Sequence, residues 1–309
     1  MTERWAYLGP EGTFTEQAAE LLSRRAPGPV ERRPAPTVPA ALRAVRDGSV
    51  GAAVVALESS VEGSVPVTQD ELIHGEPLLI TAEAHVPVTF DLLVRPGTEL
   101  SAVTAVGAHP HGLAQVRSWL EGQLPGARAV VCESNAAAAA AVAAGDLDAA
   151  AAAPVAAVTY GLVAAAADIG ERHDAVTRFV LLRRPGPVPA PTGNDITSMV
   201  LSVDNHPGSL LAVLTEFASR GINLTRLESR PTRSRMGEYV FTVDADGHLT
   251  DPAMADVLVA LRRRSALWRF LGSYARQDGR GEPLPGFATG SAYREARDAV
   301  RRWQLGDFS

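Results

Sequence analysis

The sequence of 309 residues contains no lysine, and all 29 of its basic residues are arginines. Schiff-base chemistry and the anchoring of pyridoxal phosphate both need a lysine amine, so the sequence excludes them. Cys132 is the only cysteine, which excludes an intrachain disulfide and a thiolate metal cluster and favours a reducing compartment. No apolar run resembles a spanning helix of about 20 residues, and the polar N-terminus does not resemble a signal peptide. We therefore predict a cytoplasmic protein that does not enter a membrane.

Motifs that bind phosphates or metals are also missing. Neither a Gly-x-Gly-x-x-Gly nor a Gly-Lys-Ser/Thr loop occurs, which leaves a nucleotide site without support. His109 and His111 form the only close histidine pair, and no third ligand lies at a recognisable spacing, so we predict neither a metal nor another cofactor. The net charge of −6 gives no general attraction to nucleic acid or to an anionic membrane surface.

The first half of the chain alternates predicted strands and helices in α/β fashion. A strand over residues 5–8 precedes a helix over residues 15–25, and Thr13 has the capping-box spacing to Glu16. A second helix, over residues 38–46, leads to the next strand.

Small hydroxyl residues follow two more predicted strands. Ser60 comes shortly after an apolar strand over residues 52–57, and Ser134 precedes an alanine-rich helix over residues 136–144. Helix starts offer free backbone N–H groups, so the three starts at Thr13, Ser60 and Ser134 predict an organic acid as the ligand. Each hydroxyl taken alone is also explained as an ordinary helix cap.

Another apolar strand begins at Ala175 and carries Thr177 and Arg178 side by side. If this strand opens onto a cleft, the Thr177 hydroxyl can give a proton to a leaving group while the Arg178 guanidinium holds an anion. Alternatively, Arg178 forms an ion pair with Glu171 or Asp174 and only orients the strand.

A proline-rich stretch, residues 185–195, is stiff enough to link this part to a second one. Beyond it, the pattern predicts elements in the order βαββαβ, as in a ferredoxin-like sandwich. They span residues 197–203, 208–219, 222–228, 239–243, 254–264 and 268–274. A loop rich in Gly and Pro at residues 278–292 then leads to a last helix over residues 293–304. We expect this helix to dock on the body of the protein or on a partner subunit through a stripe of Tyr293, Ala296, Val300 and Trp303.

Several motifs in one order resemble those of a single enzyme family. They are residues 7–14 (YLGPEGTF), 57–60 (LESS) with 68–70 (TQD), 177–179 (TRF) and 228–231 (ESRP). Over residues 4–276 the chain resembles the prephenate dehydratases, in the monofunctional form with a C-terminal ACT regulatory domain. The resemblance implies an α/β catalytic domain of two lobes, built like a type II periplasmic binding protein, followed by a βαββαβ ferredoxin-like ACT domain. The active site would lie in the cleft between the lobes.

The resemblance also implies a division of the chain into domains. The catalytic domain would take residues 1–184, with lobe one at about 1–76 and 165–184 and lobe two at about 77–164. After the linker at 185–195, the ACT domain would take residues 196–276, and residues 277–309 would form a tail with a helix.

The implied reaction removes water and carbon dioxide from prephenate and gives phenylpyruvate on the route to phenylalanine. Expulsion of hydroxide is the difficult step, and the family's essential threonine falls on Thr177, which would donate the proton. The implied substrate-binding residues are Thr13, Glu58, Ser59, Ser60, Gln115, Ser134, Asn135, Arg178 and Phe179. Glu58 and Glu133 match carboxylates near the lobe hinge, where a repulsive or proton-sharing pair would tune closure of the cleft.

The sequence departs from the family pattern at Ser59, where an asparagine is usual. An asparagine that usually precedes Thr-Arg-Phe is also replaced, by Asp174 or Ala175. Two alternatives stay open: a sibling lyase, either a prephenate decarboxylase or an arogenate dehydratase, and a non-catalytic amino-acid sensor. Thr177 argues against the decarboxylase because that reaction has no leaving water to protonate, whereas Ser59 argues for it.

For the ACT part the resemblance implies a phenylalanine site between paired ACT domains. Its residues would be Asn205, Gly208, Ser209, Leu210, Glu228, Ser229, Arg230 and Pro231. Gly208 would let the ligand approach the backbone closely. We therefore expect feedback regulation by L-phenylalanine and a homodimer or homotetramer, the alternative being a domain that only dimerises.

Overall fold

The computed structural model describes residues 2–232, 238–279 and 284–308. The chain forms two compact units, one of Met1–Glu71 with Ala84–Arg184 and the other of Leu72–Glu83 with Pro185–Ser309. Part of the predicted loop at 278–292, residues 280–283, lies outside the described residues.

Strands and helices alternate between residues 3 and 183, as the sequence predicts. The strands are β1 (Glu3–Leu8), β2 (Val30–Ala35), β3 (Ala52–Ser59), β4 (Gly63–Ser64), β5 (Leu79–Pro87), β6 (Asp91–Val94), β7 (Ala105–Ala108), β8 (Arg128–Val131), β9 (Ala149–Ala152), β10 (Val163–Ala166) and β11 (Val176–Arg183). The helices are α1 (Phe14–Ser23), α2 (Val38–Arg46), α3 (Pro66–His74), α4 (Pro110–Gln123), α5 (Asn135–Ala144) and α6 (Pro154–Tyr160).

The first sheet has the strand order β2-β1-β3-β11-β5, with β4 added to β3. β1 pairs in parallel with β2 and β3, whereas β11 runs antiparallel to β3. Residues 52–55 of β3 are consecutive and buried, which shows that both faces of the sheet are covered there. A strand covered on both faces is an apolar run without alternation, and this explains the sequence of β3.

The second sheet has the order β10-β6-β9-β7-β8 and is built with much smaller side chains. β9 consists of four buried alanines, and the alanine-rich α5 packs against it. Small side chains let the helix backbone approach the sheet closely, which is why this alanine run forms a packed helix. The run ends at Gly145 in a left-handed conformation with φ +90°, as the sequence predicts.

The chain passes from the first sheet to the second between β5 and β6 and returns between β10 and β11. Two α/β lobes joined by a double crossing form the architecture of a type II periplasmic binding protein, as the resemblance implies. The end of β5 belongs to the first sheet, so the first lobe extends beyond the predicted limit at residue 76. Strand pairing assigns a strand to its lobe, and the local sequence pattern does not reveal it.

The second unit has the βαββαβ order that the sequence predicts. Its elements are β12 (Asp195–Ser202), α7 (Ser209–Ala218), β13 (Leu224–Pro231), β14 (Tyr239–Asp246), α8 (Pro252–Arg264) and β15 (Trp268–Ala275), followed by α9 (Gly290–Gln304). The strands form an antiparallel sheet in the order β13-β14-β12-β15, and α7 and α8 supply apolar residues to the core beneath it.

The stripe predicted on the last helix is only partly covered. Tyr293 packs against the core of the second unit, whereas Val300 and Trp303 are 46% and 51% exposed. The prediction that the whole stripe docks on the body is therefore wrong for Val300 and Trp303, which extend beyond the core. Docking on a partner subunit stays a prediction.

Among the helices of the described residues, none has the length and apolar character needed to cross a membrane.

Candidate active site

A cavity of about 630 Å³ lies between the two lobes of the first unit. Its first wall comes from the first lobe, at the ends of β1 and β3 and the start of β11, and its second wall comes from the second lobe, mainly at the starts of α4 and α5. The polar residues that line it are Thr13, Thr15, Ser59, Glu62, Ser64, His109, His111, Gln115, Glu133, Ser134, Asn135 and Thr177. A cavity of this size suits a small organic molecule.

Two of the predicted helix starts do face the cavity, and both are capped by their hydroxyls. Thr13 Oγ1 accepts a hydrogen bond from Glu16 N at 3.2 Å, and Ser134 Oγ accepts one from Ala137 N at 2.9 Å. These caps orient α1 and α5 so that their N-termini, which carry partial positive charge, point at the space between the walls.

The prediction that Ser60 opens a helix is wrong. Ser60 lies in a turn that Gly63 closes at φ +77°, and the next helix starts only at Pro66. The backbone N–H of Val176 donates to Ser60 Oγ at 2.9 Å, and Ser60 N–H donates to Val176 O at the same distance. Ser60 is not among the residues that line the cavity. It holds the strand just before Thr177 instead.

Thr177 lines the cavity, directly opposite Ser59 in the β3–β11 pairing. No hydrogen bond joins its Oγ1 to any residue in the described part of the chain, so the hydroxyl is open to a ligand. Phe179, two residues on, also faces the cavity and is 2% exposed, so it closes the floor. Ser59 Oγ accepts from Val61 N at 3.2 Å and thereby holds the turn that follows β3.

Arg178 lies on the other face of β11 and does not line the cavity. Successive side chains of a strand point to opposite faces, so Thr177 and Arg178 cannot both face one cleft. Arg178 Nη1 lies 3.9 Å from Glu58 Oε2, its cross-strand neighbour. Arg178 therefore forms an ion pair, as the alternative predicted, but its partner is Glu58. Glu171, one of the predicted partners, instead accepts hydrogen bonds from the backbone N–H and the hydroxyl of Ser118.

The two predicted hinge carboxylates lie in different settings. Glu58 lies beside the Arg178 guanidinium and does not line the cavity, and its pairing with Glu133 stays a prediction. Glu133 lines the cavity just before α5, on the second wall.

Asn135 and Gln115 both line the second wall, as predicted. Asn135 Oδ1 accepts from His109 N at 2.8 Å, and no described residue accepts from its Nδ2, which leaves that amide as a donor for a ligand. Gly112 makes this contact possible, because a Cβ at that position would lie 2.5 Å from Asn135 Oδ1.

Sequence reasoning missed the start of α4, where His109 is the N-cap. His109 Nδ1 accepts from His111 N at 3.3 Å, and the two rings stack with centroids 5.2 Å apart. Burial, together with the charge of His111, lowers the pKa of His109, which suits a nitrogen that acts as an acceptor. The helix start was visible in the sequence, because Pro110 at the first helical position follows shortly after the small apolar residues 105–108.

An ion pair joins the two walls at this point. His111 Nδ1 lies 3.1 Å from Glu62 Oε1, which belongs to the turn after β3. None of the described residues that line the cavity is an arginine, so the two imidazoles are its only groups that can carry a positive side-chain charge. No cluster of three or more potential metal ligands occurs within the described residues.

The residues predicted to bind an effector lie in the second unit. Asn205 precedes α7, Gly208 is its N-cap at φ +87°, and Ser209 Oγ donates to His206 O at 2.8 Å. The residues from Glu228 to Pro231 lie on β13, at the edge of the sheet, where Glu228 lies 3.5 Å from Arg230 Nη1. Gly208 adopts this positive φ without strain and has no side chain, so it leaves the start of α7 uncovered.

Two α/β lobes enclose a cavity lined by hydroxyls and helix N-termini, and a βαββαβ unit follows them in the chain. This combination is typical of an enzyme that binds a small ligand and carries an added regulatory domain. The family model described as Prephenate dehydratase matches residues 5–187, and that of the ACT domain matches residues 197–263. The chain belongs to the prephenate dehydratase family.

The relatives extend over nearly the whole chain. A prephenate dehydratase of Amycolatopsis methanolica is 50% identical over 305 residues, which cover 98% of this chain and 99% of the relative. The crystal structure of prephenate dehydratase in complex with L-Phe from Arthrobacter aurescens is 43% identical, with a TM-score of 0.89, and covers 98% of this chain and 99% of its own. A structure described as GqqA, a novel type of quorum quenching acylase, is 31% identical, with a TM-score of 0.79, and covers 90% of this chain and all of its own.

Proposed function

We infer that the protein catalyses the decarboxylative dehydration of prephenate to phenylpyruvate, a carbon–oxygen lyase reaction of phenylalanine biosynthesis. The observation that carries this function is the open Thr177 hydroxyl on the wall of the cavity, in a family whose 50% identical member is named prephenate dehydratase. We assign catalysis to residues 1–184 and regulation to residues 196–276, joined by the linker at 185–195.

The reaction needs one proton and no electrons from outside. Thr177 Oγ–H gives its proton to the ring hydroxyl as the C–O bond breaks, and water leaves. The bond from the ring to its carboxylate breaks, its electron pair enters the ring, and carbon dioxide leaves. Thr177 then regains a proton from solvent. A positioned proton donor contributes roughly 10² to 10⁴ in rate, and formation of the aromatic ring supplies the driving force.

The second wall suits the carboxylates of the substrate. The N-termini of α4 and α5 point at the cavity, and Asn135 Nδ2 is available as a donor. Oriented donors that are fixed before the substrate arrives bind an anion without reorganisation. Ser59 and Thr177 supply hydroxyls on the facing wall, so the substrate is held with its anionic end on the second wall and its leaving hydroxyl on the first.

The decisive experiment is to incubate the purified chain with prephenate and to follow phenylpyruvate by its absorbance in alkali. A dihydro product would indicate the decarboxylase, and a preference for arogenate would indicate the other sibling lyase. Binding without turnover would indicate a sensor. An acylated quorum-sensing signal should be assayed in parallel as a second substrate, because the chain is similar to the acylase structure. Turnover of that signal alone would contradict the lyase.

The regulatory part of the proposal is that L-phenylalanine binds the ACT domain and inhibits the enzyme. The open start of α7 at Gly208 and the charged edge strand with Arg230 support it. The relative from Arthrobacter aurescens was solved in complex with L-Phe. A site shared by paired ACT domains requires a homodimer or homotetramer, which light scattering measures directly.

We predict that Arg230→Ala raises the L-phenylalanine concentration for half inhibition at least about tenfold, the loss of one charged hydrogen bond. Gly208→Leu should have an effect of similar size because it places a side chain over the start of α7. Basal turnover stays unchanged in both variants. Arg262→Ala is the matched control, since Arg262 is exposed on α8 of the same unit. Unchanged inhibition in both variants would place the effector site elsewhere.

A further inference from the structure

The substrate of the proposed function carries two negative charges, yet the cavity offers little fixed positive charge. None of the described lining residues is an arginine, and Glu62 and Glu133 add carboxylates. Helix N-termini and neutral donors stabilise one anionic group well, but each contributes only a partial charge. A second carboxylate therefore needs a side-chain cation, and the imidazoles of His109 and His111 are the available groups.

The two imidazoles are not equivalent. His109 Nδ1 accepts the N–H of His111, a role that requires this nitrogen to be unprotonated. The rings stack at 5.2 Å with an angle of 10° between their planes, so two positive charges there would repel each other. His109 is partly buried as the cap of α4, whereas the side chain of His111 is 60% exposed at the cavity. The positive charge consequently belongs on His111.

His111 lies next to a carboxylate of the protein at the cavity. Its Nδ1 lies 3.1 Å from Glu62 Oε1, and both side chains are largely exposed, at 60% and 45%. An exposed ion pair contributes only about 0 to 1 kcal/mol, so a carboxylate of the substrate can replace Glu62 at small cost. The observed contact also proves that a carboxylate oxygen can reach this nitrogen from the cavity side.

Resting on the function proposed above, we propose that His111 binds the side-chain carboxylate of prephenate, the one that is retained in phenylpyruvate, and that Glu62 occupies this position until the substrate arrives. The ring carboxylate is excluded as the partner because it loses its charge as carbon dioxide. A cation on that group would stabilise the ground state more than the transition state and would slow the reaction. A cation on the retained carboxylate stabilises substrate, transition state and product alike. Such uniform binding lowers KM and leaves kcat unchanged.

The titratable groups that line the cavity together with His111 are Glu62, His109 and Glu133. Glu62 and His111 are the only two of these that form an ion pair within the described residues. A permanent cation at position 111 should therefore bind prephenate as tightly as the wild-type residue does.

The experiment measures KM and kcat for prephenate and the inhibition constant of phenylpyruvate at pH 6 for wild type and three variants. His111→Gln should raise both KM and the inhibition constant about tenfold, the effect of one charged hydrogen bond, with kcat within about twofold. His111→Arg should keep the low KM. Glu62→Gln should leave KM equal or lower, because the competing carboxylate is gone.

His173→Gln is the matched control. His173 Nδ1 lies 2.8 Å from Asp168 Oδ2, and the side chain is 67% exposed, but it does not line the cavity. Its kinetic constants should equal those of wild type.

Three results would overturn the inference. The first is a KM for His111→Gln within twofold of wild type at pH 6. The second is a raised KM with an unchanged inhibition constant, which would assign His111 to the departing carboxylate. The third is a parallel rise of KM in Glu62→Gln and His111→Gln, which would make the pair a latch between the lobes. Absence of any turnover in wild type would instead overturn the proposed function itself, so the two failures are distinguishable.

Discussion

The two walls of the cavity are built from different structural elements and carry different chemistry. The first wall is formed mainly by strand ends, with the start of α1 beside them, and presents hydroxyls, above all Thr177. The second wall is formed by helix starts and presents imidazoles and amides, such as His109 and Asn135. Strand ends place a side chain with little freedom, whereas helix starts add oriented N–H groups and partial charge. In the proposed function, this difference separates proton delivery from anion recognition.

The sheets behind the walls differ in the same sense. The first sheet is filled by large buried residues, including Trp5 and Tyr7, whereas β9 and α5 of the second lobe are nearly pure alanine. Large core side chains interdigitate and fix the strands that carry the hydroxyls. Alanine packing brings α5 close to its sheet and sets the position of its N-terminus. Each lobe thus has a core suited to the element that it presents.

Removal of the hydroxyl from the first wall should have the largest effect. Thr177→Val should lower kcat by about 10² to 10⁴ with KM nearly unchanged, because a proton donor acts in the transition state. Steady-state kinetics with prephenate measure it. Thr177→Ser should retain most of the activity, and Thr159→Val, an exposed position on α6, is the control. Activity of Thr177→Val within a few-fold of wild type would remove the acid role.

The role of the second wall in binding is tested at the side-chain amide of Asn135. Asn135→Ala removes the acceptor for His109 N–H and the Nδ2 donor, so KM for prephenate should rise about tenfold while kcat changes less. Asn194→Ala, in the linker to the second unit, serves as the control. A loss in kcat as large as that of Thr177→Val would show that the walls do not divide recognition from proton delivery.

The smallest effect is expected behind the first wall, at Arg178. Arg178→Met removes a partner of Glu58 but no group that lines the cavity. KM should stay within about twofold, and the free energy of unfolding should fall by about 1 kcal/mol, as for a partly exposed ion pair. Urea unfolding and kinetics measure the two effects, with the exposed Arg43→Met as control. A tenfold rise in KM would place the guanidinium on the substrate.

Local sequence patterns predicted the elements of the βαββαβ unit and two of the three helix starts at the cavity, but they left β6, α4 and several other elements of the first unit unassigned. Thr13 and Ser134 are caps because a hydroxyl before a helix has few other roles, and the structure confirms both. Ser60 had the same local pattern, yet it lies in a turn because Gly63 and the pairing of β4 with β3 end the strand differently. A hydroxyl in the position of a cap therefore does not by itself prove a helix start.

The anion-binding role predicted for Arg178 could have been rejected from the sequence alone. Neighbours on a strand point to opposite faces, so a cavity that receives Thr177 excludes Arg178. The strand pattern does not show whether Thr177 or Arg178 points into the cavity. That depends on which face of the sheet the second lobe covers, and this involves residues far away in the chain.

The α/β and βαββαβ patterns, the alanine helix with its glycine end and the strand that begins with a hydroxyl can be read from the sequence, because they depend on neighbours a few positions apart. Only packing in three dimensions places the end of β5 in the first sheet and brings Glu62 to His111 across the cavity. The pairing of Glu58 with Arg178 was decided in the same way. These contacts join residues that are 49 to 120 positions apart or assign strands to sheets, and no local periodicity encodes a distance in space.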